Sequence, residues 1–313
     1  MTNADGDSID VVCASDENYA MATCACLASA IHFVGPTVRL RVHLLDAGIR
    51  TQTQAKLRRS LNALAKGRLE LTFIDIASAS EIRSQANSGH INWVTLSKLL
   101  MPRLLPTVDR VLWLDSDLIV CDDLLELWRL PLHGKAILAL EESTIGPTLP
   151  FAPDYGVALD APYFNSGVMV LDLAALRRAD FTTRALAVLA RHRRLRYLDQ
   201  DVLNLLCAGD WTPLERRWNF IVVAETDTIA AIERARRQPH PSIVHYASVP
   251  KPWFSGYGHQ RLYSSYFYYA LDLTEWRGWR PPVRVRHVLR TQWPGLVTSL
   301  AKLRTTWSRL RRG

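Results

Sequence analysis

The stretch Val111-Leu-Trp-Leu-Asp-Ser-Asp117 sets four apolar residues ahead of two acids spaced two apart. On a buried strand, residues two apart share a face. Asp115 and Asp117 are therefore expected to point the same way from the strand's carboxyl end. Like charges so placed repel unless a cation lies between them. Open α/β sheets bind ligands outside the carboxyl ends of their strands. The chemistry that fits is a divalent cation holding a phosphorylated ligand. The same acid spacing recurs at Asp5/Asp7 and Asp199/Asp201, and a strand-end pair taking turn hydrogen bonds is an equally plain reading. The neighbouring segments separate the two.

Four of them carry polar groups at the ends of apolar runs. Ala14-Ser-Asp-Glu-Asn-Tyr19 closes a first strand and enters a helix. Asp16 and Asn18 are good helix caps there, or else hydrogen-bonding groups for a base and ribose, with Tyr19 to stack on a flat ring. The sequence holds neither G-x-G-x-x-G nor G-x-x-x-x-G-K-[ST], so a glycine-cradled pyrophosphate is not indicated and the cation must supply the counter-charge. In Tyr163-Phe-Asn-Ser-Gly-Val-Met-Val170, Asn165 and Ser166 precede Gly167 either as a turn or as partners for sugar hydroxyls. Tyr197-Leu-Asp-Gln-Asp201 opens a helix, with Asp199 as cap and Gln200 or Asp201 in the first turn, or with these groups facing a ligand. His245-Tyr-Ala-Ser-Val-Pro-Lys-Pro-Trp253 puts a histidine at a strand end and Lys251 in a rigid turn. An imidazole would complete a two-carboxylate Mn²⁺ site, and Lys251 would pair with a phosphate oxygen.

The elements that must position these groups follow a β-α-β-α-β rhythm. Strands are expected at 9–13, 38–45, 69–74 and 110–114. Helices are expected at 16–32 and 52–66, and at 97–105 with an interruption at Pro102. Apolar runs at 136–140 and 167–173, helices at 184–194 and 201–207, and a short strand at 242–246 complete the pattern. It predicts an α/β chain with a mostly parallel central sheet and helices on both faces.

The chain has 313 residues, 48% of them apolar, enough for a sizeable core. No apolar run reaches the length of a membrane span, and the polar, acidic start lacks the marks of a secretory signal. Five cysteines with no CxxC pair fit reduced thiols in a cytoplasmic protein. The net charge of +8 is unevenly placed. From Trp276 onward there are ten Lys or Arg residues and no acid, so the rest carries 28 basic against 30 acidic groups. Pro281-Pro282 reads as a boundary, giving a catalytic domain at 1–280 and a basic tail at 281–313. Within the tail, Leu296, Leu300, Leu303, Trp307 and Leu310 fall on one helical stripe. An amphipathic helix lying on the anionic inner face of the cytoplasmic membrane is expected, with a helix docked on the body as the plainer alternative. Nothing supplies a base-reading motif for nucleic acid.

Taken together and in order, the motifs between residues 9 and 260 resemble the family 8 glycosyltransferases, with bacterial lipopolysaccharide galactosyl- and glucosyltransferases as the nearest likeness. The resemblance implies a GT-A fold, a UDP-hexose donor, Mn²⁺ (or Mg²⁺) and retention of anomeric configuration. It implies Asp115, Asp117 and His245 as metal ligands. Asp16, Asn18 and Tyr19 would surround the uridine, with His90 and Ile91 beside the nucleotide. Asn165, Ser166, Asp199 and Gln200 would line the donor-sugar pocket, and Lys251 would meet the diphosphate. Lys98 stands where the family commonly has an arginine that touches phosphate and sugar. Lysine keeps the charge but not the planar fork. Ala247-Ser248 replaces a stretch that usually includes glycine.

The expected activity is hexose transfer from a UDP-sugar to a saccharide acceptor, either lipopolysaccharide or another envelope glycan. The acceptor hydroxyl would attack on the face the diphosphate leaves, with Gln200 steadying the cationic sugar. A double displacement through Asp201 or Asp199 is the rival route. Two other classes stand beside a transferase: a sugar-nucleotide-binding domain without turnover, and a metal-dependent phosphoryl-transfer or hydrolytic enzyme using the same acids.

Overall fold

The structure, a computed structural model, describes residues 7–83, 92–142, 149–192, 195–222, 240–247, 251–254 and 263–282. His90, Ile91, Ser248, the Asp5 of the first acid pair and all of the tail beyond residue 282 lie outside the described residues.

Among the described residues there are ten strands in chain order: β1 (Ser8–Ser15), β2 (Arg39–Asp46), β3 (Leu69–Asp75), β4 (Arg110–Leu114), β5 (Leu118–Val120), β6 (Ile137–Glu141), β7 (Phe164–Asp172), β8 (Trp211–Pro213), β9 (Phe220–Ile221) and β10 (Ile243–His245). Seven form the central sheet in the order β3-β2-β1-β4-β7-β6-β8. Every neighbouring pair in it is parallel except the two made by β7, which runs against β4 and β6. The expected mostly parallel α/β sheet is present, with one reversed strand. A small second sheet, β5-β10-β9, stands beside it.

β1, β4 and β7 are buried along almost their whole length. That is why their sequences read as continuous apolar runs rather than alternating ones. One hydrophobic cluster, with Val12, Val111, Trp113, Met169 and Leu171, covers one face of the sheet. A second, with Ile9, Val11, Leu112, Leu114 and Val170, covers the other. A third gathers Ile119, Val244, Tyr246, Trp253 and Phe267 around the small sheet.

Several boundaries differ from expectation for local reasons. The first helix spans Ala20–Phe33, because Asp16 to Tyr19 form a turn in which the Asp16 carboxylate accepts the Tyr19 N–H at 3.0 Å. The segment around Pro102 is a 3₁₀ helix, Trp93–Leu100, followed by a short α-helix, Met101–Leu104. Pro102 sits in the first turn of that α-helix, where its missing N–H costs no bond, so it does not interrupt a helix. β7 begins at Phe164, three residues earlier than expected, so Asn165 and Ser166 lie in the strand rather than in a turn. β5, β8, β9 and the helices Leu124–Arg129 and Ser264–Asp272 are too short or too mixed in pattern to read from sequence.

Candidate active site

Asp115 and Asp117 are not on a strand, as their spacing suggested. Asp115 directly follows β4, and Asp117 is the second residue of the two-residue turn, Ser116–Asp117, that carries the chain into β5. Backbone bonds on both sides hold this turn. The Asp115 N–H donates to the Gly167 carbonyl at 2.9 Å, and the Asp117 carbonyl accepts the Tyr246 N–H at 3.0 Å. β10 runs antiparallel to β5 with His245 opposite Leu118. That register brings a residue far along the chain beside Asp117. Asp115, Asp117 and His245 each offer a ligand atom, and these atoms lie within 4.8 Å of one another.

Gly167 makes the approach possible. A Cβ at this position would lie 2.3 Å from His245 Cε1, 2.8 Å from its Nδ1 and 3.0 Å from Asn165 Oδ1. Only a residue without a side chain lets β7 pass that close to the ring.

Next to the acids, the β6–β7 ladder changes register between Ala139 and Leu140. Such irregularities free backbone groups and occur beside active sites. Here the Ser166 N–H turns to the Gln200 side-chain oxygen at 3.0 Å. Asn204 bonds Phe164 through both its carbonyl (2.8 Å) and its N–H (2.7 Å), docking β7 on the helix Leu198–Leu206. Asp199 and Gln200 occupy the first turn of that helix, where a negative side chain is favoured. Asp199 is therefore not a cap. Its carboxylate takes the Ser166 hydroxyl at 2.9 Å and the Lys98 ammonium at 2.8 Å.

Lys98 is 2% exposed and connects the two halves of the site. Its ammonium meets Asp115 at 2.9 Å, Asp199 at 2.8 Å and the Ser166 hydroxyl at 3.1 Å. Three donors thus find three acceptors, a tripod that suits an ammonium better than a planar guanidinium. Burial alone would lower the Lys98 pKa, but Asp115 and Asp199 outweigh it and hold the ammonium charged. Lys251 plays the same part for Asp117, at 2.6 Å, and also donates to the Tyr246 carbonyl. Burial pushes the Asp117 carboxyl up, but Lys251 and His245 outweigh that and hold it far below the ordinary carboxylate range. Asp115 goes the other way. Burial, with the repulsion of Asp117 and Asp199, raises it despite Lys98.

These groups line one cavity of about 460 Å³. Of the residues singled out by sequence, Asp16, Tyr19, Lys98, Asp115, Asp117, Asn165, Ser166, Asp199, Gln200, His245 and Lys251 are on its wall. Asn18 is not. It is exposed and reaches only the Asp16 carboxylate, at 3.4 Å. Asn92, not singled out from sequence, stands on the wall instead and donates to Asp16 at 3.2 Å. Asp201 is also off the wall. One of its oxygens takes the Tyr163 hydroxyl at 2.6 Å and the other the Tyr197 N–H at 2.9 Å. An acid in the first turns reaching back to the N-cap amide is a capping arrangement. Trp113, which donates to Asp115 at 2.8 Å, and Asn219, which meets His245 at 2.8 Å, were not singled out from sequence. A core tryptophan and an asparagine closing a 3₁₀ helix carry no spacing signal.

The donor set fits a hard divalent cation: two carboxylates and an imidazole nitrogen within reach of one point. The charge count fits as well, since three carboxylates, Asp199 buried and Asp115 and Asp117 partly buried, face two ammonium groups.

The fold is that of the GT-A glycosyltransferases. The galactosyltransferase LgtC, solved with donor and acceptor sugar analogues, superposes with a TM-score of 0.70 at 26% identity, over 85% of this chain and 96% of that one. The chain belongs to glycosyl transferase family 8, whose sequence profile matches residues 10–256. General stress protein A of Bacillus subtilis is 23% identical over 277 residues, covering 85% of this chain and 94% of that protein. The lipopolysaccharide 1,2-glucosyltransferase of Escherichia coli is 29% identical over 177 residues, covering 55% of this chain and 51% of that protein. The chain is thus a glycosyltransferase similar to lipopolysaccharide glycosyltransferases. No helix among the described residues is long and apolar enough to cross a membrane.

Proposed function

We propose that the protein transfers a hexose, glucose or galactose, from its UDP-sugar to a saccharide acceptor of the cell envelope, lipopolysaccharide being the leading candidate, with retention of configuration and dependence on Mn²⁺. The observation that carries this reading is the convergence of Asp115, Asp117 and His245 within 4.8 Å, on the wall of a cavity that also holds Asp16, Tyr19 and the polar groups of β7. A nucleotide at the Asp16 end leaves its diphosphate over the three ligands and its sugar against Asn165, Ser166, Asp199 and Gln200.

Asp115, Asp117 and His245 would hold the Mn²⁺, which when bound supplies a Lewis acid to the departing diphosphate, worth several kcal/mol at the transition state. The chain's own residues do the rest. Lys251 and Lys98 add positive charge beside the leaving group. Asp199 places negative charge beside the sugar as it becomes cationic. Gln200 is a neutral dipole, held by the Ser166 N–H, and is suited to positioning rather than to covalent attack. The acceptor hydroxyl attacks on the face the diphosphate vacates and passes its proton to the leaving phosphate. Asp201, capped and off the cavity wall, is poorly placed for a double displacement.

The test is UDP release from UDP-glucose and UDP-galactose with a saccharide acceptor, with Mn²⁺ and then with chelator. Wild type is run beside Asp117→Ala and His245→Ala. Chelator-sensitive release in wild type alone is expected. Equal release by all three proteins would remove the site. Donor binding without turnover would make this a binding domain, and release of inorganic phosphate a hydrolytic one.

The basic tail, residues 281–313, is proposed to hold the enzyme on the inner face of the cytoplasmic membrane, where a lipid-linked acceptor would be found. Vesicle sedimentation checks this: the full chain should pellet with anionic vesicles and not with neutral ones, and a chain ending at residue 280 with neither.

A further inference from the structure

A chain of hydrogen bonds runs behind His245, and its direction is set by the backbone. It begins at the Gly167 N–H, which can only donate. That N–H points at Asn165 from 2.9 Å, so the end of the Asn165 amide it meets must be the oxygen. The same oxygen lies 2.9 Å from Asn219, whose facing atom must then be the NH₂ group. The Asn219 oxygen is left at the far end, 2.8 Å from His245 Nδ1. An amide oxygen only accepts, so Nδ1 carries a proton. All four residues are buried.

We propose that Asn219, with Asn165 behind it, is a positioning residue that locks His245 in the Nδ1–H form and so keeps Nε2 as the atom offered to a cation. This rests on the reading of Asp115, Asp117 and His245 as a cation site. His245 Nε2 lies 3.4 Å from Asp117 Oδ1. Any second proton on the ring sits on Nε2, the side facing the acids. A cation arriving there displaces that proton and never the one on Nδ1. Without the relay the neutral ring is free to carry its proton on Nε2, which would block the ligand atom. A hydrogen bond to the second ring nitrogen is the usual way a protein fixes a ligating imidazole. Gly167 serves the same end from the other side, since its missing Cβ leaves the ring its place.

The arrangement also narrows the role of Asn165. Its oxygen already accepts two N–H groups, so only its NH₂ group is left to meet a ligand on the cavity wall.

The decisive measurement is nitrogen NMR of the full chain with ¹⁵N-labelled histidine, at a pH about two units above the ordinary imidazole range near 6.5. His245 is assigned by loss of its signals in His245→Gln. Wild type should show the proton on Nδ1 and none on Nε2. A ring with its proton on Nε2 and none on Nδ1 would overturn the proposal, whatever any variant does. Binding supplies the second readout, with Mn²⁺ as the probe in calorimetry. Asn219→Leu should weaken Mn²⁺ binding on the order of 10–100-fold and release the tautomer. Asn219→Asp, which still accepts from Nδ1, should keep the Nδ1–H form and recover most of the affinity. Unchanged affinity and tautomer in Asn219→Leu would also refute the relay. Absence of Mn²⁺ binding in wild type that still shows Nδ1–H would instead defeat the cation site and leave the relay standing.

Discussion

Two buried clusters of acid and imidazole stand at opposite ends of the central sheet, and their charge balance separates them. Near the start of β1, Asp10 meets Arg41 Nε at 2.9 Å and His43 Nε2 at 2.9 Å, across the β1–β2 register that pairs Asp10 with Arg41. One carboxylate is surrounded by donors, and nothing is left over. Beyond the end of β4, three carboxylates share two ammonium groups and an imidazole whose proton the Asn219 relay directs away from them. Burial tends to raise Asp10, but its hydrogen bonds to His43 and Arg41 win and hold it low. At the other cluster Asp115 is left raised. A balanced cluster holds strands together. An acid-rich one in a cavity asks for a cation. Both combine a buried acid with a histidine, so composition alone does not tell them apart.

The largest effect that would break this contrast is on catalysis. Asp117→Ala should lower kcat/KM for transfer by about 10³-fold, the worth of several kcal/mol of lost charge stabilisation, while Asp10→Asn leaves it unchanged. Steady-state UDP release checks both. A comparable loss in Asp10→Asn would mean that the two clusters are not functionally distinct.

Lys98→Met comes next. It leaves Asp115 and Asp199 buried without their ammonium, a change that costs about 3–5 kcal/mol when one member of a buried pair is removed. Denaturant titration should show this loss, and MnCl₂ should recover part of it by pairing Asp115 again. A loss untouched by Mn²⁺ would say that no cation takes over there. Lys98→Arg should not restore the wild-type stability, because a planar fork cannot serve three acceptors around one point.

Asp201→Asn should cost about 1–3 kcal/mol of stability through its capping bonds and leave transfer within about tenfold of wild type. Loss of turnover in a folded Asp201→Asn protein would revive the double-displacement route.

The smallest effect sharpens the other side of the contrast. Asp10→Asn should destabilise by about 1–2 kcal/mol at neutral pH. The folded-state pKa of Asp10 lies below its ordinary 3.8. Its contribution is therefore fully present above that value and disappears as the pH falls through the lower, folded-state one. Wild type and Asp10→Asn should converge in stability on acidification, as urea titrations at several pH values would show. A gap that persists in acid would mean the bond pattern, not the charge, matters.

Much of the central sheet is legible in the chain because burial on both faces leaves unbroken apolar runs, as in β1 and β4. Short strands carry too few residues for a period, and β5, β8 and β9 went unread for that reason. Among site residues, those adjoining an apolar run stood out: Asp115 and Asp117 after β4, Asn165 and Ser166 at the start of β7, His245 at the end of β10. Lys98 stood out only through its place in a family pattern, since a lysine within an apolar helix announces no partner. Asn219, Trp113 and Asn92 had no signal, because their roles come from what the fold places beside them.

The amino-acid order by itself determined the α/β alternation, the acidic ending of an inner strand and the concentration of basic residues beyond Trp276. These are local properties, written in hydrophobic period and charge. Which acids face one another, that Lys98 spans Asp115 and Asp199, and that a backbone N–H at Gly167 dictates the protonated nitrogen of His245 were decided by tertiary structure. Hydrogen-bond direction and shared charge depend on groups up to 134 residues apart, and only strand register and helix docking bring those groups together.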